Sequence, residues 1–332
     1  MQPLFTTRLT DLFGIRHPIL CGGLMWLSDA RYVAACVNAG GMGFITARTF
    51  PDPGAFRAEL RKCRALTGGK PFGVNLYSTP READNVILKG HLAILLAEGV
   101  RIVETSGLPP KPLLPALREA GAKVIHKCAT VRHAVSAAKL GVDAVAIVGA
   151  ECGGHPGIEL VGTMVQTPLG AQRLGLPYAV GGGIGHGSQI AAALAMGADA
   201  VVIGSRMTVA EEIWAHPAYK QRMVAADEAS SRLIMQSFRN TYRVLDNAEA
   251  RAVAALEAEG EADFARYKPH VVGTRQREAY ATGDIERGVL SMGQAIAFAG
   301  ETKPVAAIFA QMLDEARAAM LRLRQVEHPP AG

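Results

Sequence analysis

The sequence lacks the features that mark several classes of protein. Its 332 residues contain no apolar run of the roughly eighteen residues that a transmembrane helix needs. The N-terminal residues show no basic segment followed by an apolar stretch. The 36 glycines and 18 prolines follow no Gly-X-Y period, which excludes a collagen-like fibre. We therefore expect neither a membrane span nor a signal peptide.

Cysteine is scarce, and its spacing indicates no framework. The five cysteines are odd in number, scattered and free of CxxC spacing. Neither a disulfide framework nor a zinc site is predicted, and no other metal site is expected. A reducing cytoplasm is the expected location.

The excess of basic residues is small. The formal charge is +5 and the pI is about 9.0, but no basic cluster has interleaved aromatic residues. The densest basic segments, 57–64 and 317–324, combine helical spacing with aliphatic partners, which is typical of solvated helix faces and not of a nucleic-acid site. The charge balance favours anionic small molecules as ligands.

What the chain does contain is a regular alternation of apolar runs and amphipathic stretches. With 49% hydrophobic residues it has ample material for a folded core. The amphipathic stretches include 28–38, 53–65, 82–98, 112–120 and 130–140, with Ser28 and Thr130 as helix-start signals. Eight apolar runs are continuous, as in parallel strands buried on both faces. They are 18–22, 41–47, 72–76, 101–106, 123–128, 144–149, 177–182 and 200–205.

Eight such units predict an α/β fold of the TIM (β/α)₈ barrel type. The alternative, a doubly wound sheet, would carry a GxGxxG turn after its first strand, where this chain has CGGLMWLS. Residues 1–210 are assigned to the barrel. Residues 211–288 are polar and helical in pattern with no strong strand, which predicts a helical lid domain. Residues 289–332 are predicted to form C-terminal helices that pack back on the barrel.

Glycine-rich segments follow three of the predicted strands, at the barrel end where active sites lie. VGGGIGHG at 180–187 precedes a helix, so its backbone N–H groups and the helix N-terminus suit a phosphate. Gly204 and Ser205 would supply a second phosphate contact. Tight turns are the alternative reason for these glycines.

The segment GAECGGHPG at 149–157 carries a histidine among glycines. The glycines permit a flat ligand to approach closely, and neutral His155 could act as the base toward a weakly acidic carbon. A capping or packed histidine is the alternative.

Other polar residues stand at the same predicted rim. Lys127 could place positive charge beside an electron-rich ring or could extend to solvent, and Asn75 could bond to the edge of a heterocycle. His126 is expected to point to the opposite side of its strand, and Cys152 to be a small loop residue. Two aromatic residues suit either a pocket wall or ordinary packing: Trp26 and Tyr77.

These segments resemble the nitronate monooxygenases, formerly called 2-nitropropane dioxygenases. The resemblance is carried by GGLMW, NAGGMGFI, FGVNL, VIHKC, GAECGGHPG, GGGIGHG and GADAVVIGSR, and it resumes in LIMQSFRNTYRV. The family implies a TIM barrel with a helical second domain, non-covalent FMN, and oxidation of alkyl nitronates with O₂. A homodimer is a separate expectation.

The resemblance also implies roles for individual residues. His155 matches the active-site histidine, which would orient the substrate or deprotonate a neutral nitroalkane. Lys127 would stabilise negative charge on the flavin. The implied FMN contacts are Gly22, Gly23, Asn75, Lys127, Gly154, Gly182, Gly183, Gly204 and Ser205.

A branch of the same superfamily acts as an NAD(P)H:quinone reductase, and HKC, ECGGHPG and LIMQSFRNTYRV are similar to that branch. Met25, Val148 and Gly181 depart from its pattern, where Gln, Asp and Ser would be usual. A nicotinamide would need a basic rim, for which the candidates are Arg48, Arg239 and Arg243, although the last two could instead pair with Asp246 and Glu249. A flavin-dependent enoyl-acyl-carrier reductase and a non-catalytic flavin module are weaker alternatives.

Overall fold

Eight parallel strands close into a barrel in sequence order, as the apolar runs predict. The structure is a computed structural model that describes residues 3–327, with the side chain of Glu82 left out. Each strand pairs with its sequence neighbours, and the last strand pairs with the first. The strands are β1 Ile19–Cys21, β2 Met42–Thr46, β3 Gly73–Ser78, β4 Ile102–Gly107, β5 Lys123–Cys128, β6 Ala144–Val148, β7 Tyr178–Gly181 and β8 Ala200–Ile203.

Helices precede, connect and surround these strands. They are α1 Arg8–Phe13, α2 Ala30–Asn38, α3 Pro53–Leu66, α4 Glu82–Ala97, α5 Leu114–Glu119, α6 Val131–Lys139, α7 Thr163–Arg173 and α8 Gly187–Ala195. Thr130 caps α6 as predicted, since its side chain accepts a hydrogen bond from the N–H of His133. The prediction of Ser28 as the cap of α2 was wrong by one residue, because Asp29 accepts the bond from Tyr32.

Two apolar layers hold the barrel together. The inner one fills the barrel with residues such as Leu20, Phe44 and Ile125, and Leu9 and Phe13 of α1 close its N-terminal end. The outer layer lies between the strands and the surrounding helices. The barrel interior is therefore filled at its N-terminal end, and the C-terminal end is where the active sites of such barrels lie.

A lobe follows the barrel strands, and it contains a hairpin as well as helices. Its helices are α9 Pro217–Val224, α10 Ala248–Ala258, α11 Phe264–Val271 and α12 Gly273–Thr282. Two antiparallel strands, β9 Ser231–Ile234 and β10 Tyr242–Leu245, lie in this region, for which a helical domain with no strong strand was predicted. They have a core of their own that includes Ile234, Val244 and Tyr267. The hairpin is hard to predict because each strand is only four residues long and neither alternates polar with apolar side chains.

The final helix, α13 Val305–Glu327, returns to the barrel and packs against α8 and α2. A side chain at Gly187 would overlap the backbone oxygen of Met312, so the two helices approach closely at this glycine. Within residues 3–327, no helix is both long enough and apolar enough to cross a bilayer. The division of the chain at residues 210 and 288 stays a prediction.

Candidate active site

The candidate site lies at the C-terminal ends of the barrel strands, where alternation turns particular side chains inward. Ile102 and Ile125 belong to the core enclosed by the barrel. Successive side chains on a strand point to opposite sides, so Glu104 and Lys127, two residues further on, also face inward. Asn75 is the register partner of Glu104 and takes the same layer.

Glu104 is the centre of the polar network at this level. Its Oε1 lies 3.0 Å from Nζ of Lys127, and its side chain is 2% exposed. Its Oε2 accepts hydrogen bonds from Nδ2 of Asn75 at 2.6 Å and from the N–H of Gly23 at 3.2 Å. A buried carboxylate is tolerated when a cation and donors surround it, as here. The sequence analysis did not select Glu104, although a charged residue inside the apolar run RIVETS was the available signal.

The polar network leaves no room for a side chain at Gly22 or Gly23. A Cβ atom on Gly22 would lie 2.9 Å from Nζ of Lys127, and one on Gly23 would lie 2.7 Å from Cβ of Asn75. Larger residues would displace the lysine and the asparagine. The structure thus brings four of the predicted site residues together, while their contact with a cofactor stays a prediction.

The loop after β6 is held by the lobe. Gly154 and Arg243 exchange two backbone hydrogen bonds, of 3.0 and 2.7 Å. Gly154 has a φ of +88°, and a Cβ atom there would meet no atom within 4 Å, so open space borders it. The ring of the neighbouring His155 is exposed and stacks on Tyr242, with 4.5 Å between ring centroids. Desolvation lowers the pKa of His155, a direction that favours the neutral imidazole.

A second carboxylate, Glu151, joins the loops after β6 and β7. It accepts hydrogen bonds from both the N–H and the hydroxyl of Thr163, at the start of α7. Its side chain also packs against Gly183, where a Cβ atom would lie 3.3 Å from Cβ of Glu151. Gly182 is tight as well, because a Cβ atom there would lie 2.9 Å from Gly149. The glycines after β7 therefore permit close packing of two loops, a need that the sequence analysis did not identify.

Unpaired backbone donors occur on the loops after β7 and β8. Gly182 and Gly183 have φ values of +95° and +72°. Within the described part of the chain, the N–H groups of Gly183, Ile184, Gly204 and Ser205 donate no hydrogen bond. A Cβ atom on Gly204 would meet nothing within 4 Å. Because β7 and β8 are neighbours, these donors lie on adjacent loops beside the opening at Gly204, an arrangement that suits an anion.

The first turn of α8 contributes less to this opening than its sequence suggests. The N–H of Gly187 donates to Glu315 of α13 at 2.7 Å. The N–H groups of Gly185 and His186 donate to Oε1 of Gln189 at 2.7 and 2.9 Å. These donors are already capped, so an anion would depend on the loop N–H groups alone.

A buried arginine follows the second of these loops. Arg206 is 2% exposed, and its Nη1 has no hydrogen-bond partner among residues 3–327. Burial lowers the pKa of its guanidinium, with partial compensation from Glu315 and Glu301. The preceding Ser205 uses its Oγ to accept a hydrogen bond from the N–H of Gly293 at 2.7 Å. Among the described residues, one nitrogen of this cation, Nη1, is therefore left without a hydrogen bond just after the loop that follows β8.

His126 and Cys152, which were predicted to take no part in the site, have the expected positions. His126 is on the helix-facing side of β5, where its Nδ1 bonds to Oγ1 of Thr105 at 2.9 Å, and burial lowers its pKa to about 4. Burial raises the pKa of the Cys152 thiol to about 12, which leaves it a poor nucleophile at neutral pH.

The three arginines predicted to form a basic rim for a nicotinamide cofactor are only partly free to bind one. Arg48 pairs with Asp84 at 2.8 Å and lines a cleft of about 180 Å³ together with Trp26 and Tyr77. Arg243 donates to the carbonyl oxygen of Ala150 and to Ser231, and not to Asp246, the alternative partner. Asp246 instead pairs with Arg232 and Arg251, and Glu249 with His270 and Arg275. Arg239 is exposed.

Comparison with known proteins places this architecture among characterised enzymes. A profile of the nitronate monooxygenase family matches residues 6–315. A nitronate monooxygenase from Pseudomonas aeruginosa is 30% identical, over 94% of this chain and 99% of the relative. The structure of FabK from Thermotoga maritima superposes with a TM-score of 0.89 at 32% identity, covering 97% of this chain and 99% of that one.

A relative named as a dehydrogenase is similar to part of this chain. The (3aS,4S,5R,7aS)-5-hydroxy-7a-methyl-1-oxo-octahydro-1H-indene-4-carboxyl-CoA dehydrogenase of Mycobacterium tuberculosis is 34% identical over 66% of this chain. The match spans 60% of that relative's own length.

Proposed function

Since the chain belongs to the nitronate monooxygenase family of flavin-dependent oxidoreductases, we propose that it binds FMN and oxidises alkyl nitronates with O₂. The observation that carries the proposal is the buried network in which Glu104 holds Lys127 and Asn75 at the barrel mouth. A fixed cation and an amide donor at this place suit a flat, electron-accepting ring. A bound FMN supplies reversible uptake of electrons from the nitronate and their transfer to O₂.

The phosphate group of FMN suits the opening beside β7 and β8. The unpaired N–H groups of Gly183, Ile184, Gly204 and Ser205 can donate to phosphate oxygens, and Arg206 adds positive potential. The open space at Gly204 leaves room for the group.

Lys127 and Asn75 act on the charge of the bound ring. Lys127 places its ammonium group where negative charge would develop on the ring. The ion pair with Glu104 fixes the position of that ammonium group. Asn75 is held by Glu104 in the same way, with its side-chain carbonyl left to accept a bond. Both side chains are oriented before the ligand arrives, so little reorganisation is required when charge develops.

His155 acts on the substrate. No other residue between 3 and 327 bonds to either ring nitrogen of His155. A neutral imidazole with unused nitrogens can accept the proton of a neutral nitroalkane, or orient a nitronate through its N–H. Proton removal from the carbon yields the anion that the reaction consumes.

Anaerobic stopped-flow with the flavin-loaded protein tests the proposal. We expect about one FMN per chain, released intact on denaturation, and fast bleaching by propyl-2-nitronate but slow bleaching by NADH or NADPH. A colourless protein that does not take up FMN, or one that holds FAD, would contradict the cofactor assignment. Rapid bleaching by a reduced nicotinamide, with none by the nitronate, would replace the proposal with the quinone reductase alternative.

The geometry gives the quinone reductase alternative little support. Two of its three candidate rim residues, Arg48 and Arg243, are engaged by protein partners. Met25 and Val148 make the mouth less polar than that branch requires. The relative that acts on a carboxyl-CoA compound suggests a CoA thioester as a further electron donor for the same assay.

A further inference from the structure

His155 owes its surroundings to an antiparallel contact between the barrel and the lobe. Gly154 and Arg243 form an antiparallel bridge through their two reciprocal backbone hydrogen bonds. In such a bridge the next residue of one strand faces the preceding residue of the other, so His155 lies opposite Tyr242. Their rings are 6° from parallel with centroids 4.5 Å apart. The stacking is thus built into the backbone pairing.

The loop that carries His155 gives the ring little support of its own. Gly154 and Gly157 flank the short segment with φ values of +88° and +82°, and glycine permits many other conformations. Neither ring nitrogen bonds to another described residue. In many enzymes a third group orients the base through a hydrogen bond. Here the stacked tyrosine is the contact that can do so.

Tyr242 is itself firmly held. Its register partner on β9 is Ile234, which is fully buried. Its hydroxyl bonds to Oγ of Ser291 at 2.7 Å. Ser291 accepts a longer bond, 3.4 Å, from Gln276, whose amide also donates to the hydroxyl of Tyr280 at 3.0 Å. One face of the imidazole therefore rests against a fixed ring.

We propose that Tyr242 is a positioning residue for His155, one that fixes the imidazole plane by stacking and not by a hydrogen bond. The inference rests on the proposed function, because it assigns Tyr242 to the ring that would handle the substrate proton. Its hydroxyl anchors the tyrosine to Ser291, while its ring face orients the histidine. A tyrosine that merely filled the lobe core would leave His155 unaffected when replaced.

Two substitutions separate the ring from the hydroxyl. Tyr242→Phe keeps the stacking and loses the bond to Ser291, whereas Tyr242→Leu keeps an apolar side chain and loses the ring. We expect Tyr242→Leu to lower kcat on a neutral nitroalkane about tenfold with KM changed less than about threefold, because a misplaced base slows the chemical step. Tyr242→Phe should stay within about twofold of the wild type.

A spectroscopic readout makes the test independent of activity. In protein labelled at histidine Cε1, the His155 proton, assigned through His155→Asn, should be shifted upfield by the tyrosine ring. The shift should persist in Tyr242→Phe and vanish in Tyr242→Leu. Tyr267→Phe is the matched control, since Tyr267 is a lobe-core tyrosine bonded to the carbonyl oxygen of Glu261 and away from His155.

The outcomes are distinct. Unchanged His155 shift and kcat in a folded Tyr242→Leu protein would overturn the proposal, as would equal losses in Tyr242→Phe and Tyr242→Leu. Thermal melting identifies any variant with a damaged lobe. The upfield shift of the His155 proton in the wild type and in Tyr242→Phe then carries the test, and its absence from either protein would overturn the proposal. If the wild-type protein fails to oxidise nitroalkanes, the proposed function falls, yet the chemical shifts still show whether Tyr242 orients His155.

Discussion

The two ends of the barrel each bury a carboxylate, and they surround it differently. Glu98 ends α4 at the N-terminal end, where Arg57, Arg61 and Arg64 gather around one carboxylate. Glu104 lies at the C-terminal end with one lysine, one amide and one backbone N–H. The arginines of Glu98 reach from a neighbouring helix and hold two helices together. The partners of Glu104 instead face an open mouth.

The comparison teaches that a buried carboxylate can either stabilise the packing of helices or position the side chains of a site. Hydrogen bonds from Arg61 and Arg57 lower the pKa of Glu98 to about 2, which is the signature of a carboxylate committed to its ion pairs. Lys127 remains partly exposed although Glu104 is buried, so its charge is presented to a ligand. We therefore expect the two ends to respond differently to substitution.

The largest effect should follow a charge placed in the opening beside β8. Gly204→Asp puts a carboxylate in space that no protein atom fills, next to unpaired N–H donors. Because it would repel a phosphate, we expect FMN affinity to fall at least about 100-fold with little change in Tm of the flavin-free protein. Flavin fluorescence titration measures the affinity. Gly175→Asp, at an exposed glycine with open space around it, is the control and should bind FMN normally.

A smaller effect, confined to one substrate form, should follow removal of the histidine. In His155→Ala we expect FMN content close to that of the wild type and activity on neutral nitroalkanes reduced roughly 100-fold, the scale of a lost general base. Activity on preformed nitronate should fall less, since no proton has to be removed. Steady-state oxygen consumption with both substrate forms provides the measurement. Equal losses on the two forms would assign His155 to binding or to the oxidative step instead.

The smallest effects come from a crossed pair of substitutions at the two ends. Glu104→Gln should lower kcat/KM about tenfold, because an amide cannot hold both Lys127 and Asn75. Glu98→Gln should leave kcat/KM unchanged and reduce the free energy of unfolding by about 2 kcal/mol at neutral pH. A tenfold loss of kcat/KM in Glu98→Gln would contradict the assignment of Glu98 to stability and Glu104 to activity.

The stability effect of Glu98 has a defined pH dependence. Its pKa is lower in the folded protein than in the unfolded chain, so its stabilising contribution is complete above the ordinary carboxyl pKa and is lost as the pH falls toward 2. The Tm difference between the wild type and Glu98→Gln should therefore narrow between pH 6 and pH 3. Differential scanning calorimetry at several pH values checks this, and a constant difference would contradict it.

The sequence predicts the barrel because each strand has its own local signal. Continuous apolar runs recur eight times, and the structure has all eight strands. Lys127 and Asn75 can be selected in the same way, as polar residues at the ends of apolar runs. The role of Glu104 as their common partner is harder to predict, because it depends on the register between β3, β4 and β5.

The strand pairing in the lobe could not be predicted from the sequence. The strands β9 and β10 are short and half polar, so periodicity does not distinguish them from loop. The stacking of Tyr242 on His155 depends on an antiparallel bridge between Gly154 and Arg243, which are remote in the chain. A single sequence contains no local trace of such a pairing. Long-range contacts of this kind determine the parts of the site that the motifs left out.

The contact between Gly187 and Glu315 has a consequence for the order in which the protein is made. The carboxylate that caps the first turn of α8 belongs to a helix 128 residues further along the chain. During synthesis the barrel strands leave the ribosome long before that helix does. The segment from β7 to α8 thus receives this cap only after α13 has been synthesised. Nascent chains halted before residue 305 would lack that cap, although all eight barrel strands had already emerged.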